Sequence, residues 1–244
     1  MLNIYDFEHI ADYNSSTNLS MINKGGIIFS YHQHLEKLFD RLRTINDKFV
    51  LLTYLIDNNL TKQLYDKKPK NVIWYSDNVC HQGVNILPLG VIYKKRGEMF
   101  TSKKNMKNAN SYKTQLCFYG MRPDKNDERF NIYNQVKDFA VCAKQLPQAD
   151  YYKQIGKSVF TFCPQGYGVD TWRFFEALYL GSIPVVRKSI ISAFWKQYLN
   201  IFEYENVADI TEQNLLDFVI KKENREVLTN EYWINKIKGE LHNG

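Results

Sequence analysis

Residues Phe162–Val186 read FCPQGYGVDTWRFFEALYLGSIPVV, and this stretch decides the fold. The run that leads into it, Val159 to Cys163 (VFTFC), is apolar, aromatic and β-branched, which suits a buried strand. Pro164, Gly166 and Gly168 stop that strand. Glycines in such a loop let the backbone approach a ligand closely and take positive φ at no steric cost. Asp170 or Thr171 is placed to cap the helix that follows. That helix is expected to reach about Leu180, with Gly181 as its C′ residue. Ile183 to Val186 then makes the next strand. Two strands joined by one short helix form a parallel βαβ unit.

A helix N-terminus behind a glycine loop is an anion site, because free N–H groups and the helix dipole meet there. Arg173 lies in the first turn and Glu176 follows at i+3, so both side chains share one helix face. Arg173 suits a phosphate. Glu176 is an acceptor-only carboxylate and suits two vicinal ribose hydroxyls. The same spacing serves equally well for a plain Arg173–Glu176 ion pair on a solvated helix.

The residue identities carry a further reading. The string CPQGYGVDTWRFFEALYLGSIPVV resembles the signature of exostosin-like glycosyltransferases and related bacterial and viral enzymes. The shared pattern is a Pro-x-Gly-x-Gly loop, an Arg, Glu-Ala-Leu, then Gly-x-Ile-Pro-Val. The WYSDN stretch from Trp74, VNILPLGV at Val84–Val91, and Cys117–Gly120 followed by Glu128 and Arg129 are similar to further elements of that group. The resemblance spans roughly residues 26 to 200. It implies an α/β fold of GT-B type, two Rossmann-like lobes with a cleft between them, trimmed to fit 244 residues. It implies a nucleotide-sugar donor, usually a UDP-sugar, held by the C-terminal lobe. Glu176 would bind the ribose and Arg173 the pyrophosphate. Gly166, Tyr167 and Gly168 would lie beside the sugar phosphate, Asp170 and Thr171 would complete the donor-binding set, and Arg129 would be a second phosphate ligand. It implies no cofactor and no metal, since cationic side chains and a helix dipole neutralise the leaving diphosphate. The sequence shows no Asp-x-Asp and no His, Cys or Asp cluster at metal-ligand spacing.

Outward from the central stretch, apolar runs alternate with helical patterns, the mark of α/β with a mainly parallel sheet. Expected strands are Gly26–Ser30, Phe49–Tyr54, Asn71–Tyr75, Val84–Leu87, Gln115–Tyr119, Phe139–Ala143 and Ile201–Tyr204. Expected helices are Leu35–Leu42, Leu60–Tyr65, one from about Glu128, Asp150–Ile155, Ser192–Leu199, Glu212–Lys221 and Asn230–Leu241. Residues 1 to 25 read as polar and irregular. The expected division is an N-terminal, acceptor-side lobe at 1–110 that includes a basic linker, a donor-binding lobe at 111–225, and a C-terminal helix at 226–244 that crosses back to the first lobe.

The chain carries a net charge of +6, and from Lys94 to Lys113 it holds seven Lys or Arg against one acid, Glu98. A solvated linker is the simpler reading of that run; a polyanionic acceptor is the alternative. The four cysteines (Cys80, Cys117, Cys142 and Cys163) form no CxxC and read as buried free thiols in a reducing compartment. The first residues carry no cationic, apolar leader and no run reaches the length of a membrane span. A soluble, cytoplasmic protein of a bacterium or a virus-infected cell is expected; its oligomeric state is left open.

Transfer to a hydroxyl needs a positioned donor, a stabilised leaving group and, for inversion, a base. Residues after the N-terminal strands are candidates for the base, because ligands of open α/β sheets sit at the carboxyl ends of strands. Asp57 comes first, then His34 and Asp77; a turn-forming role for Asp57 is equally in keeping with its position. His32 and His34 could instead cap the following helix, and Glu98 and Asp124 are loop acids. The expected function is sugar transfer from a nucleotide-diphosphate sugar to a glycan hydroxyl. Two alternatives share the sequence features: a phage-type enzyme that glycosylates hydroxymethylated bases of DNA, and a non-catalytic nucleotide- or carbohydrate-binding module.

Overall fold

A computed structural model describes residues 1–14, 17–54, 62–91, 112–166 and 168–242, and all of their side chains except that of His32. The chain divides into two compact units, each built on a five-stranded sheet in which every pairing between strands is parallel. The fold class is the expected α/β with two Rossmann-like lobes.

Unit 1 comprises Met1–Gly90, Tyr167–Asp170 and Arg225–Gly244. Its strands are β1 (Tyr13–Asn14), β2 (Gly26–Tyr31), β3 (Phe49–Tyr54), β4 (Val72–Ser76) and β5 (Asn85–Ile86), side by side in chain order. All six residues of β3 are buried, as a central strand covered on both faces requires. Helix α1 (Leu35–Leu42) buries Leu35, Leu38, Phe39 and Leu42, the face its periodicity specifies. Helix α2 spans Lys62–Asp66.

The N-terminal stretch corrects the sequence reading. It is not irregular: Ile4–Ile10 is a 3-10 helix whose cap, Asn3, accepts the Tyr5 N–H at 3.0 Å, and Leu2, Ile4 and Phe7 are fully buried. β1 then adds an edge strand to β2. Apolar residues at 2, 4 and 7 match neither a strand period nor an α period for long enough to register.

Unit 2 comprises Val91–Gly166 and Thr171–Asn224. Its strands are β6 (Gln115–Tyr119), β7 (Val141–Cys142), β8 (Ser158–Phe162), β9 (Ile183–Arg187) and β10 (Phe202–Tyr204), in the order β10-β9-β8-β6-β7. Its helices are α3 (Asp127–Val136), α4 (Gln148–Lys157), α5 (Trp172–Tyr179), α6 (Ile190–Trp195) and α7 (Glu212–Leu216). Cys117, Tyr119, Phe160, Phe162, Val185 and Tyr204 form the centre of its core. Chain order reverses between β6 and β8, which makes their carboxyl ends the switch point where open parallel sheets bind ligands.

Several boundaries differ from those expected, each for a local reason. β7 is only Val141–Cys142, an exposed edge pair, so Cys142 is an exposed thiol; Cys117 and Cys163 are buried and Cys80 is partly covered. α6 starts at Ile190, not Ser192. Ser189 is its cap: Ser189 Oγ accepts the Ser192 N–H at 3.0 Å and Ser192 Oγ accepts the Ser189 N–H at 2.8 Å. α7 stops at Leu216, not Lys221, because the Asn200 amide takes both the N–H and the C=O of Lys221 at 2.8 Å. Lys113, read as part of a solvated run, turns its ammonium onto the last turns of two helices, donating to Gly156 O at 2.9 Å and Leu180 O at 3.3 Å. The rest of that run, 92–111, lies outside the described residues.

The last helix, α8 (Asn230–His242), packs against β3 within unit 1. Trp233 and Ile237 are fully buried; Trp233 Nε1 donates to Val227 O at 2.8 Å, and Tyr75 Oη donates to Glu240 Oε1 at 2.7 Å. Among the described residues no helix is long and apolar enough to cross a membrane.

Trp233→Ala is expected to destabilise the protein by about 3–5 kcal/mol, the range for emptying a large buried site, read as a lower urea midpoint.

Candidate functional site

Helix α5 carries the central motif. Phe174, Phe175, Ala177 and Leu178 are buried, which leaves Arg173 and Glu176 on the other face. Gly181 ends the helix with φ +70°; its N–H bonds Leu178 O at 3.2 Å, and Ser182 N–H bonds Ala177 O at 2.8 Å. The N-terminus departs from expectation. Thr171 holds the cap position in extended conformation, yet its side chain makes no cap bond, and Thr171 Oγ1 is buried with no hydrogen-bond partner among the described residues. The Asp170 backbone N–H, inside unit 1, donates to Asn78 Oδ1 at 2.8 Å.

Arg173 and Glu176 do not pair directly in the way their spacing allows. Tyr151 of α4 stands between them: Arg173 Nε donates to Tyr151 Oη at 2.8 Å, and Tyr151 Oη lies 3.4 Å from Glu176 Oε2. Tyr152 Oη donates to Glu176 Oε1 at 3.1 Å, and Arg173 Nη1 contacts Met121 Sδ at 3.9 Å. Both head groups are enclosed by protein, while each residue keeps part of its surface open. Burial raises the Glu176 carboxyl above the ordinary carboxylate range, against the pull of Arg173 and the two phenols. Burial also works against the Arg173 charge, but Tyr151, Cys163 and Glu176 outweigh it and hold the guanidinium firmly protonated. The Tyr151 phenol is pushed well above its usual range, chiefly by burial.

The loop between β8 and α5 starts in the grip of α3. Asn126 caps that helix, accepting the Arg129 N–H at 2.8 Å. Glu128 Oε2 then accepts the Gln165 N–H at 3.2 Å, and Arg129 Nη2 donates to Gln165 O at 3.4 Å. Glu128 Oε1 is itself fixed by Arg187 Nε at 2.6 Å and Tyr204 Oη at 3.0 Å. The Gln165 peptide is thus held on both sides at the switch point between β6 and β8.

The two loop glycines differ in their surroundings. Neither Gly166 nor Gly168 has positive φ. Among the described residues a Cβ on Gly166 would meet only Arg129 Nη2, at an ordinary 3.7 Å, whereas a Cβ on Gly168 would fall 2.2 Å from Asn78 Oδ1. Gly168 is required by close approach to a buried side chain of unit 1. Asn78 itself follows β4 with φ 49°, a conformation Asn tolerates better than most residues.

Of the other candidates, Asp57, Tyr167 and Glu98 lie outside the described residues. His34 is exposed at the cap position of α1, makes no cap bond, and touches Gln33 Nε2 at 3.2 Å. Asp77 is buried immediately after β4. Asp124 is exposed and pairs with Arg122 at 2.7 Å. The structure brings Arg173 together with Glu176, and Arg129 together with Gly166. Sequence reasoning missed Tyr151, Tyr152, Glu128 as a loop anchor, and Asn78. The Tyr-Tyr pair just before β8 and the Asn that closes WYSDN were the available signals.

Residues 101–204 match the protein family described as RXYLT1 C-terminal domain, a span that includes Arg129, Arg173 and Glu176. No curated protein matches the chain. Among solved structures, AviGT4, a glycosyltransferase involved in avilamycin A biosynthesis, is similar at 10% identity and a TM-score of 0.41, covering 89% of this chain and 85% of that one.

Gly168→Ala is expected to cost more than 1 kcal/mol of stability and to loosen the loop, through the steric overlap with Asn78. Gly166→Ala should fold normally. A pair of denaturation curves with equal midpoints would refute this assignment of roles.

Proposed function

We propose that this chain is a glycosyltransferase that moves a sugar from a nucleotide-diphosphate sugar, a UDP-sugar, to a hydroxyl of a glycan acceptor, with inversion and without a metal. The observation that carries the reading is the separate presentation of Arg173 and Glu176 on one face of α5, beside a helix end that the Thr171 side chain does not cap. A cation and a helix N-terminus favour a diphosphate. A carboxylate beside them favours a ribose diol. Arg129, which bonds the Gln165 carbonyl next to Gly166, supplies a second cation. The family match supports the reading because it spans these three residues.

In the proposed reaction the acceptor oxygen forms a bond to the anomeric carbon as the bond from that carbon to the diphosphate oxygen breaks. The electron pair leaves with the nucleoside diphosphate, where Arg173, Arg129 and the α5 N-terminus stabilise the growing charge. The hydroxyl proton passes to a base, which we assign to Asp57, with His34 as the second choice. Both follow strands of unit 1, β3 and β2 respectively.

Calorimetric titration with UDP, GDP, CDP and their sugars tests the proposal; binding of none of them would end it. Glu176→Ala is expected to weaken donor binding roughly tenfold or more while the fold survives, in line with loss of a charged hydrogen bond. Arg173→Ala should lower turnover by roughly 10²-fold or more. Asp57→Asn should abolish transfer with donor affinity intact, and chelation should leave turnover unchanged.

The raised Glu176 pKa gives a signed pH dependence. Its folded value lies above the unfolded one, so its contribution to stability is full below the ordinary carboxylate range and is lost as pH rises through the raised value. Donor affinity should run the other way, falling as pH drops through that same value, since the ionised carboxylate is the better acceptor for hydroxyls.

A further inference from the structure

The Arg173–Tyr151–Glu176 chain has a consequence that the donor reading does not contain. Residues at i and i+3 on one helix face lie close enough for Arg173 and Glu176 to form a direct ion pair. Within a half-buried site that pair would be the favoured arrangement, because each charge is poorly solvated. Instead one phenol oxygen separates them, accepting from Arg173 Nε at 2.8 Å and facing Glu176 Oε2 at 3.4 Å. Tyr151 is carried by α4, a different helix, whose end is joined to the end of α5 by the Lys113 ammonium. The separation is therefore imposed from outside α5.

We propose that Tyr151 is a positioning residue: its phenol keeps the guanidinium of Arg173 and the carboxylate of Glu176 from closing on each other, so that each keeps hydrogen-bonding capacity for a ligand. Direct pairing would engage the guanidinium fork and one carboxylate edge together. With the phenol in place, Arg173 commits Nε to Tyr151 and Nη1 to the Met121 sulfur, a weak acceptor. Glu176 accepts one phenol on each oxygen, which leaves lone pairs on both. The role assigned to the two free capacities, phosphate and diol, rests on the nucleotide-sugar reading; the spacing role does not.

Among the described residues, the titratable and charged groups that face Glu176 are Arg173 on its own helix, Tyr151 and Tyr152 from α4, and Cys163 after β8. Removing either phenol takes a hydrogen bond from the carboxylate, and for an ordinary donor that raises the pKa. If Tyr151 is a spacer, its loss lets Arg173 close onto Glu176 and the pKa falls. The two tyrosines are therefore expected to move the same titration in opposite directions.

The test is the 13C NMR titration of the Glu176 side-chain carboxyl, assigned through its absence in Glu176→Gln. In Tyr151→Phe the midpoint should fall below that of the wild type. In Tyr152→Phe it should rise. Replacement of Tyr151 by 4-aminophenylalanine, whose para nitrogen stands where the phenol oxygen does, should hold the midpoint near the wild type, and it keeps the test available if the phenylalanine variant does not fold. A midpoint that rises or stays in Tyr151→Phe, or that falls in the 4-aminophenylalanine variant, overturns the proposal. In parallel, UDP affinity should drop roughly tenfold in Tyr151→Phe, about one charged hydrogen bond. If the wild type binds none of UDP, GDP and CDP, the donor reading fails, and the titration alone decides the spacer.

Discussion

In the sheet of unit 2, strands β6 and β8 lie side by side, and from that seam the chain order runs one way to β7 and the other way through β9 to β10. A parallel sheet that reverses in this way leaves a crevice at the carboxyl ends of the two seam strands. The residues proposed to hold the donor all follow those two ends. β6 leads to Met121 and to α3, which delivers Glu128 and Arg129. β8 leads to Gln165 and Gly166 and, past the turn that belongs to unit 1, to α5. The backbone N–H and C=O of Gln165 are held by two adjacent residues of α3, Glu128 and Arg129, so the start of the loop is fixed from another element.

The electrostatics follow from the same placement. Bringing a cation and an anion into a half-buried site costs solvation, which direct pairing or neutral donors must offset. This protein uses neutral donors. Hydrogen bonds to a charged partner contribute roughly 1.5–3 kcal/mol each, and Glu176 faces two phenols while Arg173 donates to one of them. The tyrosines add no net charge beside Arg173 and Glu176.

Much of this was legible in the chain. β2, β3, β6, β8 and β9 are short apolar runs, and burial on both faces is what makes such runs possible. α5 could be bounded because Gly181 is needed at positive φ to stop it. The Arg173 and Glu176 positions could be read from helical spacing alone. What spacing could not reach was any partner from another element. Tyr151 and Tyr152 meet α5 only through the packing of α4 against it; the doubled tyrosine marks the place but not the partner. Gly168 looked like a ligand-facing glycine, yet its missing side chain makes room for Asn78, a residue some ninety positions upstream. The N-terminal 3-10 helix escapes the pattern because the buried Leu2, Ile4 and Phe7 at and before it have no sustained period.

The turn at 167–170 has a consequence for how such a protein could be rebuilt. The backbone passes between the two units at 90/91, 166/167, 170/171 and 224/225, four crossings in all. A single recombination breakpoint between relatives would therefore never exchange one unit whole. A hybrid that takes residues 91–224 from a relative would import that relative's turn and set it against a native Asn78. Wherever the incoming turn carries a side chain in place of Gly168, the chimaera would meet a steric clash that neither parent contains. Compatible parents are those that agree at both the Asn and the Gly, so these two positions travel as a linked pair.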